Sequence, residues 1–430
     1  MTLCAIGGLA VCGCDGGSND FVPSAASEGD EGTGDEGEGV DETTTNDSAS
    51  TTEEGGGEST VDEVSEEVDA FPPITEFENG CSESTDACET GFSCAAAGDI
   101  GACTVSPEAQ TSLSDPFSQE KAEGTSPNFE CVNAYPDPAE STTVTIHGVV
   151  DRFGSGLVTD NILVRVFLAE DFNPWKCDSL ELQEKTTCLA ELVDDPSIIV
   201  AETVAVAVAE EEGMECETDQ DCPKEYSCTG DLDGECFLNF GSYELAGLPT
   251  NVPLVVMTRP ADEGDAGDWH STFMYDVVLV QDYVEGERYR FDPLIVGHGQ
   301  WKVVPGPFFT TIKLGNGAIG GRIRDCGITG EDGRSAWNLG EATVGFATPP
   351  GKIGYFNDKE EDSLPDPDRS STNILGRYTG LDVPPGPNVV AANVQVDGEV
   401  VSLGATPIYV FPNSLAIVSL PGRVATFTQE

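Results

Sequence analysis

No Lys or Arg occurs before Lys121, while Asp and Glu crowd that same stretch at Asp30, Glu31, Asp35, Glu36 and Glu38 and again between Asp62 and Asp69. This segregation splits the chain into two materials. Residues 14–78 are mostly Gly, Ser, Thr, Asp and Glu, with too little apolar surface to offset the ~1–2 kcal/mol of backbone entropy lost per ordered residue. They read as a disordered acidic tether. As a flexible coil such a segment reaches about 45 Å root-mean-square, and like charges extend it further. Basic residues enter only where hydrophobic patterning enters, so the folded body lies downstream.

Across 430 residues, 19 Lys and Arg face 78 Asp and Glu, a formal net charge of -59. A surface this negative repels phosphate backbones, which are bound by clustered Lys and Arg, so nucleic-acid binding is excluded. With 49 Gly, 27 Pro, four Trp and no long apolar run, a multi-span membrane protein is excluded too. Fifteen Cys in so acidic a chain point to an oxidising compartment.

An apolar stretch from Leu3 to Val11 opens the chain. It is too short to cross ~30 Å of hydrocarbon as a helix and has the length of a signal-peptide core, which takes no part in a fold. Val11-Cys12-Gly13-Cys14 resembles the lipobox of bacterial lipoproteins, with an aliphatic residue three positions before the acceptor and a small one just before it. The resemblance implies that residues 1–13 are a signal peptide and that Cys14 is lipidated, which fastens the chain to a membrane in the cell envelope, at the outer membrane or cell surface. More than one acyl chain anchors far beyond the marginal affinity of one. Leu9-Ala10-Val11-Cys12 is a weaker match, and Asp15 after the acceptor favours the inner membrane in some bacteria. No Lys or Arg precedes the apolar core, although signal peptides carry a positive n-region; a true start upstream is expected.

Cys81, Cys88, Cys94 and Cys103 form one quartet, spaced 7, 6 and 9; Cys216, Cys222, Cys228 and Cys236 form another, spaced 6, 6 and 8. NGCSESTDACETGFSCAAAGDIGACT and MECETDQDCPKEYSCTGDLDGECF align by residue type, an internal repeat. Both resemble four-cysteine modules of predicted surface lipoproteins of myxobacteria-like bacteria. A zinc site would show close C-x2–4-C pairs, which are missing, so disulfides are expected. With Cys14 taken by lipid, Cys131, Cys177, Cys188 and Cys326 complete an even set of twelve. Cys177 and Cys188 are local and plausible partners, which would leave Cys131 for Cys326; sequence alone does not fix the connectivity.

From Ser141 the pattern alternates, first in Thr143–Val150 and Asn161–Leu168, then at Ile198–Val208, Val252–Thr258, Tyr275–Val280, Phe309–Leu314, Ala342–Ala347, Gly376–Val383, Asn388–Val396, Ile408–Phe411 and Ala416–Leu420. Period-two patterning between Gly-rich turns predicts antiparallel strands; the best helix is Ser179–Leu192. The fold class is mostly β, with two antiparallel β-sandwich domains after the tether and the disulfide-stapled modules. A second repeat pairs VTIHGVVDRFGSGLVTDNILVRVFLAE with GAIGGRIRDCGITGEDGRSAWNLGEATVGFA, each followed by Gly-x-Tyr, at Gly241–Tyr243 and Gly376–Tyr378, and by Leu248-Pro249 or Val383-Pro384. It resembles the carboxypeptidase regulatory-like (transthyretin-like) β-sandwich, over about half of the chain. The expected organisation is a cysteine module at 79–105, a linker at 106–140, a sandwich at 141–315 holding an inserted module at about 171–240, and a second sandwich at 316–430. Long insertions between strands are tolerated, because closure entropy grows only logarithmically.

No H-E-x-x-H, G-x-S-x-G or phosphate-binding Gly loop is present, and the resembled domain is non-catalytic, so no enzyme, catalytic residue, metal or cofactor is expected. His147 lies on a strand; His270 and His298 lie in loops and read as solvated turn residues. The acidic turns at Asp231, Asp233 and Glu235 and over Asn357–Arg369 suit calcium but lack EF-hand spacing, and read as solvated loops. Trp175, Trp269, Trp301 and Trp337 read as core or edge residues, with a sugar platform as the alternative. The expected function is a non-enzymatic, surface-anchored lipoprotein in adhesion, envelope architecture or ligand display, its partner a glycan, a peptide or an envelope protein. The alternative is a carbohydrate- or peptide-binding module serving a partner enzyme.

Overall fold

The computed structural model describes residues 71–421, apart from 85–87, 108–110, 116–119, 122–123, 133, 135, 154–158, 208–215, 217–221, 223–225, 230–234, 239, 263–267, 281–287, 328–335 and 359–363. The signal-peptide segment, Cys14 and the tether up to residue 70 lie outside the described residues, as do Asp231 and Asp233. The described part belongs to one compact unit, Val64–Glu430, and is mostly β. The last stretch of the expected tether is packed, not free. Phe71, Ile74 and Phe77 lie against Ala95, Ala102 and Val389, because these three apolar side chains give the segment something to bury.

Both repeats build the same two layers. In the first, strand Thr143–Val149 is flanked antiparallel by Ser242–Pro249 and parallel by Arg288–Arg290. Facing it, Pro253–Pro260 pairs antiparallel with Ile162–Leu168 and Thr272–Val278. In the second, Gly317–Arg322 is flanked antiparallel by Arg377–Val383 and parallel by Leu415–Val418. There the facing layer is Thr343–Phe346, Gly386–Val396 and Glu399–Val410.

The two repeats are fused through one strand. Leu415–Val418 pairs in parallel with Thr272–Val278 as well as with Gly317–Arg322, producing a continuous nine-stranded sheet. The sheet is therefore mixed where an antiparallel one is expected. A strand that closes its own repeat beside Gly317–Arg322 offers its other edge to the first repeat, and edges left open tend to pair. The sheet's first-repeat half is buried on both faces. Leu254 and Val256 face the first core with Ile146 and Leu245, while Val255 and Met257 face the second with Tyr409 and Phe411. That explains why runs such as Leu254-Val255-Val256-Met257 are continuously apolar.

One device recurs at the heart of both repeats. Gly148 sits opposite Tyr243 in register, and Gly321 opposite Tyr378. The Tyr243 hydroxyl donates to the Phe291 carbonyl, and the Tyr378 hydroxyl donates to the Val418 carbonyl at 2.7 Å. A Cβ on Gly148 or Gly321 would collide with that same carbonyl, so glycine admits the third strand and tyrosine ties it. Both phenols are buried, and burial pushes their pKa up.

Disulfides staple the periphery. Cys81 pairs with Cys94, Cys88 with Cys103 and Cys222 with Cys236; Cys216 is also bonded, and the Cys228 side chain lies outside the description. Each quartet places its last two cysteines on a hairpin, Phe92–Ala97 with Ile100–Val105 and Tyr226–Thr229 with Glu235–Leu238. Cys177 pairs with Cys188, fastening a short turn to helix Leu182–Val193. Cys131 pairs with Cys326 across 195 residues. Strand Ile199–Ala205, inside the segment read as an insertion, pairs with Ile162–Leu168 as the edge of the large sheet.

Phe309–Leu314 is not a strand. It is a loop between a 3-10 turn, Gly306–Phe308, and strand Gly317–Arg322, with Phe309 94% and Leu314 96% exposed. Asp382 holds it there, accepting from the Lys313 backbone and ammonium and from Asn316; Pro305, Pro307 and Gly315 on its flanks discourage a ladder.

Two outcomes follow from this packing. Replacing Cys131 and Cys326 together by Ala should lower unfolding free energy by up to about 5 kcal/mol, the chain-entropy value for so long a loop. In urea titration the midpoint should fall and the slope rise as the unfolded chain expands. Tyr243→Phe and Tyr378→Phe should each cost about 1–3 kcal/mol, because each strands a buried carbonyl.

Candidate functional site

The sequence places His270 in one loop-like segment and His298 and Trp301 together in another, GHGQW; the fold brings all three into one stack. Strand Trp269–His270 pairs with Leu294–Gly297, and helix His298–Val303 begins directly after it, with the His298 amide donating to Asp268. The His270 ring stacks on Trp301 at 4.3 Å between centroids and on His298 at 4.9 Å. Trp269 points the other way and is buried in the first core.

The hydrogen bonding of His270 sets its tautomer. Nδ1 lies 3.0 Å from the Asn413 carbonyl; a carbonyl only accepts, so Nδ1 carries the proton. Nε2 is left as a bare acceptor, buried and without a partner. Burial lowers the His270 pKa below the ordinary 6.5; the bond to Asn413 opposes this, and the charges of His298 and Lys302 reinforce it. Asn413 also ties this ring to the apolar loop, since its side-chain oxygen accepts from Gly315 at 2.9 Å.

The result is a flat ring platform beside an exposed apolar rim formed by Val303, Phe309 and Leu314. Trp301, Val304 and Ile312 pack over Phe308 and Leu381, which fixes rim and platform to the same sheet. Asp382, in this anchor, is held below the usual carboxylate range: burial would raise it, but bonds from Lys313 and Asn316 outweigh that. Chemically the platform can stack a planar or sugar face.

The other sequence candidates lie elsewhere. His147 pairs in register with Glu244, half-buried on its strand. Trp175 packs edge-on against Phe71 at 5.1 Å, and Trp337 packs against the second core. Asp358, in the acidic loop, accepts from Arg369 at 2.9 Å and from the Ile374 amide, a turn held by its own arginine. Glu235 begins the second strand of the second cysteine hairpin, and its side chain is outside the description. Among the described residues no helix is long and apolar enough to cross a membrane.

No protein-family model matches this chain. No curated protein matches it. Among solved structures it is similar to the shaft pilin SpaA of Lactobacillus rhamnosus GG, at 9% identity over 67% of this chain and 100% of that one, with a TM-score of 0.16. It is also similar to the minor pilin of Streptococcus agalactiae, at 12% identity over 67% of this chain and 98% of that one, TM-score 0.14. A leucine-rich repeat protein from Bacteroides thetaiotaomicron matches at 10% identity over 66% of this chain and 26% of that one, TM-score 0.16. Scores this low carry no argument. The lipoprotein and carboxypeptidase regulatory-like resemblances rest on their own residues.

Because the folded pKa of His270 lies below the unfolded one, the neutral ring stabilises the fold above about pH 6.5, and that contribution is lost as pH falls through the lowered value. Imidazole resonances followed by NMR should give His270 a midpoint below 6.5. A midpoint at or above 6.5 would contradict the stack described.

Proposed function

We propose that this chain is an exported, non-enzymatic protein of the cell envelope, fastened through lipid on Cys14 and displayed on its acidic tether at the outer membrane or cell surface. The observation that carries the reading is the set of disulfides, above all Cys131–Cys326. Bridges of this number are characteristic of oxidising compartments, which supports a folded body outside the cytosol. The fused β body is a rigid scaffold suited to adhesion, envelope architecture or ligand display, with the carboxypeptidase regulatory-like sandwich as its proposed kinship.

A second reading is favoured by the ring platform of His270, His298 and Trp301. On that reading the body binds a carbohydrate or a peptide and serves a partner enzyme. A glycan array comparing the native chain with Trp301→Ala separates the two, since Trp301 is half-exposed on the platform whereas Trp269 is core.

Expressed with its native leader, the protein should partition with membranes and gain the mass of the acyl groups. Cys14→Ser should abolish both and release the protein to the soluble fraction. A native chain that is soluble and of unmodified mass would sink the anchored reading and leave the fold untouched.

A further inference from the structure

Arginine is scarce in this chain, yet three of its arginines converge. Arg322 and Arg377 are register partners on adjacent antiparallel strands, so their side chains leave the same face. Arg324, two residues along, returns to that face; its amide donates to the Leu420 carbonyl and its backbone bridges to Asn338. Arg324 is 3% exposed, and its Nε has no hydrogen-bond partner. Opposite it, Asn338 is 1% exposed with an equally unpartnered Oδ1.

Carboxylate charge there is sparse. Burial, and then the charge of Arg322, push Arg324 down to about 9 and Arg377 down to about 10. Both guanidinium groups are still charged at neutral pH. Among the described residues, the carboxylate whose charge reaches Arg322 and Arg377 is Asp151, its own pKa raised chiefly by desolvation; none reaches Arg324. Asp325 adjoins Arg324 in sequence but takes the other face, where it accepts from the Asn128, Gly327 and Trp337 amides. A buried guanidinium nitrogen with no partner is disfavoured, and the forked donors of arginine match phosphate, sulfate and carboxylate oxygens.

We propose that Arg322, Arg324 and Arg377 form a binding site for a compact oxyanion, taken either as free inorganic phosphate or sulfate or as the same group borne by a larger ligand. Arg324 supplies the buried donor at the floor, Arg322 and Arg377 supply charge at the sides, and the Asn338 oxygen accepts from a protonated or hydroxyl-bearing ligand. The site is independent of the ring platform and of the lipid anchor. It also gives a chain that repels polyanions one place where a single anion is welcome.

The test is calorimetric titration of the full chain with sodium phosphate, sodium sulfate and a sulfated disaccharide, each against sodium chloride at matched ionic strength. Arg324→Gln and Arg322→Lys are the probes; Arg288→Gln, in an exposed pair with Glu244, is the control. Saturable phosphate or sulfate binding, weakened about tenfold or more by Arg324→Gln and unchanged by Arg288→Gln, supports the site with a free ion as ligand. Binding of the sulfated disaccharide alone, with the same dependence, supports it with a ligand-borne group. If Arg324→Gln fails the circular-dichroism check for folding, Arg322→Lys decides, since it keeps the charge and loses the fork. No saturable binding by any of the three, or binding that the folded probe variant leaves intact, overturns the proposal.

Discussion

Four residues join this molecule. Leu415–Val418 lies in parallel between Gly317–Arg322 and Thr272–Val278, and without it the nine-stranded sheet falls into two. Val418 carries two duties at once: its side chain is buried in the second core, and its carbonyl accepts the Tyr378 hydroxyl. The arrangement works because glycine stands at 321, leaving room for that carbonyl. In the first repeat the same three parts, Gly148, Tyr243 and the Phe291 carbonyl, close a sheet that ends there. A single architectural unit thus finishes one layer in one copy and bridges two copies in the other.

Much of this is legible in the chain. The alternating segments around Thr143–Val149, Ile162–Leu168 and Arg377–Val383 fold as strands, because period-two patterning reports a face to be buried. Gly-x-Tyr marks the tyrosines that tie each repeat, and the quartets mark the hairpins. Phe309–Leu314 misleads because its apolar residues look like a strand while Asp382 and the flanking prolines hold them as a loop. The fusion is invisible locally, since nothing in Leu415–Val418 names its distant partner at Thr272–Val278. The short helix His298–Val303 is likewise below the length at which helical periodicity can be read.

The two candidate sites differ in how far the sequence reveals them. His270, His298 and Trp301 can be singled out as residues, but their stacking depends on the pairing of Trp269–His270 with Leu294–Gly297. Arg322 and Arg324 sit two apart in extended chain and hint at a shared face; Arg377 joins them only through antiparallel register. In both cases the chemistry lies in local segments and the constellation in long-range pairing.

The bond between Cys131 and Cys326 has a mechanical consequence. Tension entering the chain upstream of residue 131 passes through sulfur straight to residue 326, bypassing the 195-residue span between them. The first sandwich is thereby relieved of load and cannot be unravelled by a pull between the N-terminal end and the C-terminal half. Load that reaches Cys326 then runs through the second sandwich, whose strands beyond that point hold by non-covalent pairing alone.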